Sequence, residues 1–320
     1  MCKYFLQLLL FSFSTCLPFN KVVIWGHKLH SHTHSYIHNA FYRAFKHLGY
    51  QTYWFDNSDN VANFDFSNSL FITESQVDQK IPVRDDCRYI LHNCNPQKYQ
   101  KLLDCGKCIN LQVYVDDVAN RPELIKIEDC IYQDLTNKLI YMPWATDLLP
   151  DEIDQLKNNI PQRSNTVYWI GTVGGGFFGN DTQINPFKGA CLKNKINFQH
   201  PVHLSVKENI NLIRKSYMAP TIVGDWQQKV GYIPCRIFKN ISYGQMGITN
   251  SKTVYELFQK KIVYNPNTYQ LFYDAQKRLK TLKQEELFEL MDFVKTKHTY
   301  LNRIQTLLDF LKLVEATYGK

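Results

Sequence analysis

The chain has 320 residues, 44% hydrophobic and 14% aromatic, a composition that excludes a disordered chain and suits two domains better than one core. Its formal net charge of +8 favours an anionic partner. The basic residues are scattered rather than gathered in a tract, which argues against a dedicated nucleic-acid binder and leaves an anionic membrane surface or a nucleotide or phosphosugar substrate.

Residues 1–20 combine Lys3 with an apolar run, the pattern of a signal or anchor segment or of an N-terminal extension. The run is too short for a comfortable membrane span. Cytoplasmic and membrane-associated placements, including peripheral membrane contact, both stay open. Of two glycosylation sequons, at Asn180 and Asn240, the second lies in a segment read below as a ligand site, where a glycan would block access. Nine cysteines at irregular spacing do not make a disulfide scaffold. The single Cys-x-x-Cys, Cys105–Cys108, lacks the second pair a zinc site needs.

The first clear unit begins at Lys21–Gly26, a short apolar run ending in Gly, as expected of a buried parallel strand. Ile37, Ala40, Phe41, Ala44, Phe45 and Leu48 then recur at helical spacing, and Gly49 is placed to stop that helix. Gln51–Phe55 follows as a second strand, completing one βαβ unit. Further strands are predicted at Ser69–Thr73, Tyr89–His92, Cys108–Val115 and Lys138–Met142, joined by helices or loops, which implies a parallel sheet covered on both faces. Pro143-Trp144-Ala145 leads into Asp147–Arg163, a helix and linker.

A second α/β half starts at Thr166–Gly171. Strands are expected at Ile196–His200, Ala219–Val223 and Lys261–Tyr264, with helices at Asn185–Lys195, Lys207–Tyr217, Val254–Gln259 and Leu271–Leu282. The tail, Glu285–Tyr318, reads as one long amphipathic stretch. The expected organisation is an N-terminal Rossmann-like domain at 21–160, a second at 161–285, and a C-terminal helix at 286–320.

Ligands of open α/β sheets bind at the carboxyl ends of the strands. Two segments fall there. Gly174, Gly175 and Gly176 follow the Thr166–Gly171 strand, where bare backbone lets N–H groups approach phosphate oxygens. The loop has neither the GxGxxG register nor the Lys-Ser/Thr of a P-loop, and a flexible turn explains it nearly as well. The segment GYIPCRIFKNISYGQMGITNS, residues 231–251, is more specific. Pro234 suits a helix start. Arg236, Lys239 and Asn240 then occupy the first turns, where the helix dipole favours an anion. Arg offers a planar fork to phosphate and Lys a point charge. Asn250 and Ser251 close the next loop with amide and hydroxyl groups. A solvated basic face is the plain alternative, but Ile237, Phe238 and Ile241 make this helix mostly buried.

This segment, with the TVYELFQKKIVYN that follows, resembles the donor-nucleotide region of GT-B glycosyltransferases. The resemblance covers residues 166–282 and implies two Rossmann-like domains with a cleft between them and a C-terminal helix crossing back. It implies hexosyl or related transfer from a nucleotide-diphosphate sugar to a carbohydrate, lipid or protein acceptor, with no cofactor and no metal. By the same resemblance Arg236 and Lys239 meet the diphosphate, and Asn250 and Ser251 line the pocket. Many such enzymes carry a ribose-binding Glu where this chain has Lys239. The nearest acid left for that task is Glu256, in the next helix.

The histidines form a rival signal. His27, His30, His32 and His34 follow the first strand, and neutral imidazoles two apart on an extended segment can share a metal, as in metal-dependent hydrolases. Further ligands for such a site (His92, His200, His203, Asp116, Asp117) have no fixed spacing. In a GT-B frame the same loop faces the acceptor, so that His27 or His30, nearest the strand end, would be the general base. A binding module that keeps the fold without turnover is the third reading.

Overall fold

A computed structural model describes residues 19–32, 34–74, 77–115 and 118–319. The segment read as a signal or anchor, up to residue 18, lies outside the described residues, as do Asp116 and Asp117. Among the described residues, no helix is long and apolar enough to cross a membrane.

The first half is built as the periodicity predicts. Strand β1 (Lys21–Trp25) is buried along its whole length. It runs parallel to β2 (Gln51–Phe55) on one side and β3 (Ser69–Glu74) on the other. Helix α1 (Ser35–His47) joins β1 to β2 and buries Ile37, Ala40, Phe41, Ala44 and Phe45. Burying each phenylalanine contributes about 1.5–3 kcal/mol. The sheet continues through β4 (Arg88–His92), helix α2 (Pro96–Asp104) and β5 (Cys108–Gln112). Asn95 caps α2 by accepting a hydrogen bond from the Gln97 amide.

The sheet is mixed, not wholly parallel. Its order is β2-β1-β3-β4-β5-β8-β7-β6, where β6 is Ile125–Glu128, β7 Ile131–Asp134 and β8 Leu139–Tyr141. Strands β6 and β7 pair antiparallel, and so do β7 and β8. The turn between β6 and β7 places Cys130 at φ 62°, and such a tight connection needs no crossover helix.

The second half has smaller sheets. Its elements are α3 (Pro150–Lys157), β9 (Thr166–Tyr168), α4 (Asp181–Lys193), β10 (Asn197–Gln199), α5 (Val206–Lys215), α6 (Asp225–Lys229), α7 (Cys235–Ser242), β11 (Ile248–Thr249), α8 (Lys252–Leu257), β12 (Val263–Tyr264), α9 (Thr268–Leu279) and α10 (Gln284–Lys297). Helix α11 (Tyr300–Tyr318) ends the chain. Strands β9 and β10 pair parallel, as do β11 and β12. The strand expected at Ala219–Val223 is reduced to one bridge, Thr221 to Thr249. It still holds the two strand pairs in one layer, because Tyr217 N donates to Thr166 O and Thr221 N to Ile248 O, both at 2.8 Å.

Packing moves the expected boundary near residue 160 to an earlier point. Leu148 and Ile153 belong to the second core, with Val167, Trp169 and Ile237. The tail is two helices: α10 packs in that second core, whereas Tyr300, Ile304, Leu307 and Leu311 of α11 join the first, with Phe41 and Trp144. The chain therefore crosses back at His298–Thr299, beside its outward crossing. Thr146 N donates to His298 O at 3.0 Å. The buried Arg303 donates from Nε to Pro143 O (2.8 Å) and from Nη1 to Lys297 O (3.2 Å). Burial pushes its guanidinium down to about 10.

Candidate functional site

Helix α7 is the element on which the two halves meet. Pro234 is its N-cap, and Ile237, Phe238 and Ile241 anchor one face in the second core. The other face is polar and looks to the first half. There the Asp147 carboxylate, from the outward crossing, accepts a hydrogen bond from Tyr243 Oη at 2.6 Å and pairs with Lys239 Nζ at 3.2 Å. Thr146 and Ser242 share a hydroxyl–hydroxyl bond of 2.7 Å. Burial works against the Lys239 ammonium, but Asp147 more than offsets it and the lysine pKa is raised. Lys239 also lies 5.5 Å from the centre of the Tyr36 ring of α1. Tyr36 reaches across to donate to Leu204 O at 3.5 Å.

Arg236 is one turn closer to the start of α7. Its guanidinium stacks on the buried Trp169 ring at 3.9 Å, and its Nε donates to Ile170 O at 3.1 Å. No carboxylate pairs with it among the described residues. Burial without a counter-charge depresses its pKa to about 10. Gly171, at φ 128°, makes room for it: a Cβ there would overlap Arg236 Nη2. His200 Nε2 lies 2.7 Å from Gly171 O, so the carboxyl end of β9 is gripped from both sides. The indole Nε1 of Trp169 is buried with no hydrogen-bond partner.

The other residues singled out in the sequence divide sharply. Asn240 is buried, and its Nδ2 donates to Ala219 O at 2.9 Å. Asn250 is fully buried, with its side chain accepting from Val223 N and donating to Val223 O, both at 2.9 Å. These two amides are turned into the protein and join neighbouring chain segments. Ser251 caps α8, its Oγ accepting from Val254 N at 3.4 Å. Glu256 is exposed and faces Lys252 at 3.8 Å across one helical turn.

The glycine loop is not an open cradle. Gly174 N donates to Asn180 Oδ1 at 3.2 Å, and Gly174 O accepts from Asn180 N (2.8 Å) and Asp181 N (3.1 Å). A Cβ at Gly175 would sit 3.0 Å from Asp181 Oδ2. A carboxylate beside that loop repels phosphate.

In the histidine cluster, His27 and His32 stack with centroids 4.2 Å apart, and His34 meets His92 at 5.6 Å. The Nε2 of His27 is buried without a hydrogen-bond partner. His30 instead is exposed, in a left-handed conformation at φ 69°, and bonds Tyr36 Oη at 3.1 Å. His34, His38, His92, Thr73 and Trp144 line a small cavity of about 10 Å³ at the ends of β3 and β4, room for about one water. Among the described residues no group of three or more His, Cys, Asp or Glu side chains is arranged to hold a metal. The set His30, His32 and His34 is thus not brought together.

Residues missing from the sequence reading are Asp147, Tyr36, Tyr243 and Trp169. Asp147 has no local signal, because its partners are set by the chain crossing.

No protein-family model matches the chain, and no curated protein matches it in sequence. Solved structures do match in shape. An alpha-glucosyltransferase in complex with UDP and a 13-mer DNA containing an HMU base superposes with a TM-score of 0.52 at 11% identity, covering 91% of this chain and 99% of that one. A glycosyltransferase from Rickettsia africae gives 0.48 at 11% identity, over 92% and 98%. T4 phage BGT in complex with its UDP-glucose substrate gives 0.45 at 11%, over 94% and 100%. At such identity the first likeness establishes the fold: the two α/β halves and the returning helix make the GT-B architecture.

Proposed function

We propose that this GT-B chain transfers a sugar from a nucleotide-diphosphate donor, a UDP-sugar in the first instance, to an acceptor hydroxyl. The observation that carries the reading is Arg236, a half-buried guanidinium with no carboxylate partner among the described residues, at the carboxyl end of β9, where α/β sheets take their ligands. The alpha-glucosyltransferase that shares the fold is a complex with UDP, which makes uridine the base to test first.

In this reading the diphosphate lies against Arg236, with Lys239 behind it. As the bond from the anomeric carbon to the diphosphate oxygen breaks, the negative charge that grows on the leaving group is met by a cation already in place. Trp169 holds the guanidinium plane, so little reorganisation accompanies the step. Asp147 keeps Lys239 charged and limits its freedom. The acceptor hydroxyl enters the cleft near β1 and its oxygen bonds to the anomeric carbon, while His27 Nε2, buried here against His32, takes the proton once its ring turns toward the cleft. His27 is preferred to His30 because it lies nearer the end of β1. Closure of the cleft excludes water and suppresses hydrolysis of the donor.

The test is release of UDP from UDP-glucose and UDP-N-acetylglucosamine in the presence of mixed acceptors, with the glycosylated product identified by mass. Turnover lost in Arg236→Met supports the reading. UDP binding without turnover would make the chain a nucleotide-binding module instead.

A further inference from the structure

The loop after β9 displays aromatic rings. Phe177 and Phe178 are 73% and 67% exposed, a costly placement for two adjacent phenylalanines. Glycine contacts fix that display. A Cβ at Gly179 would overlap Gly174 O, and one at Gly224 would overlap Gly179 O. The loop is thereby folded tightly on itself and pressed against the start of α6. Two residues past Gly224, Trp226 stands beside the phenylalanines, with its ring 4.8 Å from Phe178 and 6.4 Å from Phe177. Tyr114, from the end of β5 in the other half, approaches Trp226 edge-on at 5.3 Å. The four rings therefore span the two halves, and the loop that carries Phe177 and Phe178 also carries Gly171 and its Arg236 contact.

The polar groups beside this patch select among occupants. Asp225 accepts a hydrogen bond from Gln183 Nε2 at 2.7 Å. Asp181 flanks Gly175. Carboxylates at the rim repel a phosphate backbone, an anionic lipid headgroup or an acidic glycan. They accept hydrogen bonds well from hydroxyl groups. Aromatic faces with carboxylate and amide neighbours match a neutral pyranose, which presents C–H bonds to the rings and hydroxyls to the rim.

We infer that Phe177, Phe178, Trp226 and Tyr114 form an acceptor platform that takes a neutral sugar ring, so that the acceptor is a neutral glycan. This inference rests on the transferase reading for its meaning, but the platform can be tested apart from it.

The test uses the full chain on an array of neutral, phosphorylated, sulfated and sialylated oligosaccharides, with a single-stranded oligonucleotide and phosphatidylglycerol vesicles as further probes. Midpoint shifts with UDP are measured in parallel. The expected result is binding to neutral glycans, weakened about tenfold or more in the double variant Phe177→Ser/Phe178→Ser and in Trp226→Ala, with the UDP shift unchanged. The phenylalanines are exposed, so the double variant should fold; an unchanged midpoint confirms it. Neutral-glycan binding that survives both variants overturns the inference. So does binding confined to charged glycans, the oligonucleotide or the vesicles, or binding to none of the probes. Ring-dependent glycan binding without any nucleotide shift would keep the platform and remove the donor reading.

Discussion

The guanidinium of Arg236 lies over Trp169, 3.9 Å from the ring centre, and has no carboxylate among the described residues to balance it. A buried, uncompensated cation lowers stability and persists where a ligand supplies the missing charge. Arg236→Met should therefore stabilise the ligand-free protein by about 1–2 kcal/mol while removing nucleotide binding. Paired urea unfolding with and without UDP checks both signs. Burial lowers the Arg236 pKa, yet a guanidinium keeps its charge throughout the range in which proteins stay folded, so UDP affinity should not fall with pH on account of Arg236.

Gly171 tests the same geometry from the backbone side. Gly171→Ala places a methyl group where Arg236 Nη2 now sits, at a φ of 128° that L-residues avoid. It should weaken UDP at least tenfold (about 1.4 kcal/mol). An Ala substitution at Gly176, where a Cβ meets nothing within 4 Å, should leave affinity unchanged, although its φ of 75° carries some strain. Calorimetric titration separates the two.

The Asp147–Lys239–Tyr243 cluster predicts stability rather than specificity. Asp147→Asn leaves the Lys239 ammonium without its counter-charge and should cost about 2–4 kcal/mol. The lysine pKa is raised by folding. Its stabilisation is therefore fully present below the unfolded value and lost as pH rises through the higher folded one. Wild-type unfolding should show that alkaline loss, and Asp147→Asn should show less of it.

Much of the frame was legible because it rests on local periodicity. The apolar run Val22–Trp25 and the α1 stripe give strand and helix directly, and both are buried as read. The break at His298–Thr299 was carried by a cap: Thr299 Oγ1 accepts from Asn302 N at 3.4 Å. A hydrophobic stripe running through α10 and α11 concealed it, since the two faces meet different cores. The glycines at 174–176 fit a turn and a phosphate cradle equally in sequence, and composition does not separate the two. The flexibility that lets backbone wrap a phosphate also lets it fold tightly and expose Phe177 and Phe178. Asp147 was invisible because its role exists only after the crossing brings it to α7.

Asn250 distinguishes a holding residue from a binding one. Asn250→Ala removes both bonds to Val223 and should lower stability by about 2–3 kcal/mol with UDP affinity unchanged where the protein remains folded. Glu256→Gln, at an exposed position, should change neither by more than about 0.5 kcal/mol.

His27→Ala should reduce turnover about 10²–10⁴-fold with UDP binding retained, while His30→Ala should reduce it little. A rate assay under saturating donor compares them.

The most direct measurement is thermal unfolding of the full chain against UDP, GDP and CDP, with wild type and Arg236→Met side by side. At a ligand concentration 100-fold above the dissociation constant, one nucleotide should add about 2.7 kcal/mol to wild type and nothing to the variant. No shift with any nucleotide, or an equal shift in Arg236→Met, would contradict the assignment of Arg236 to the donor diphosphate.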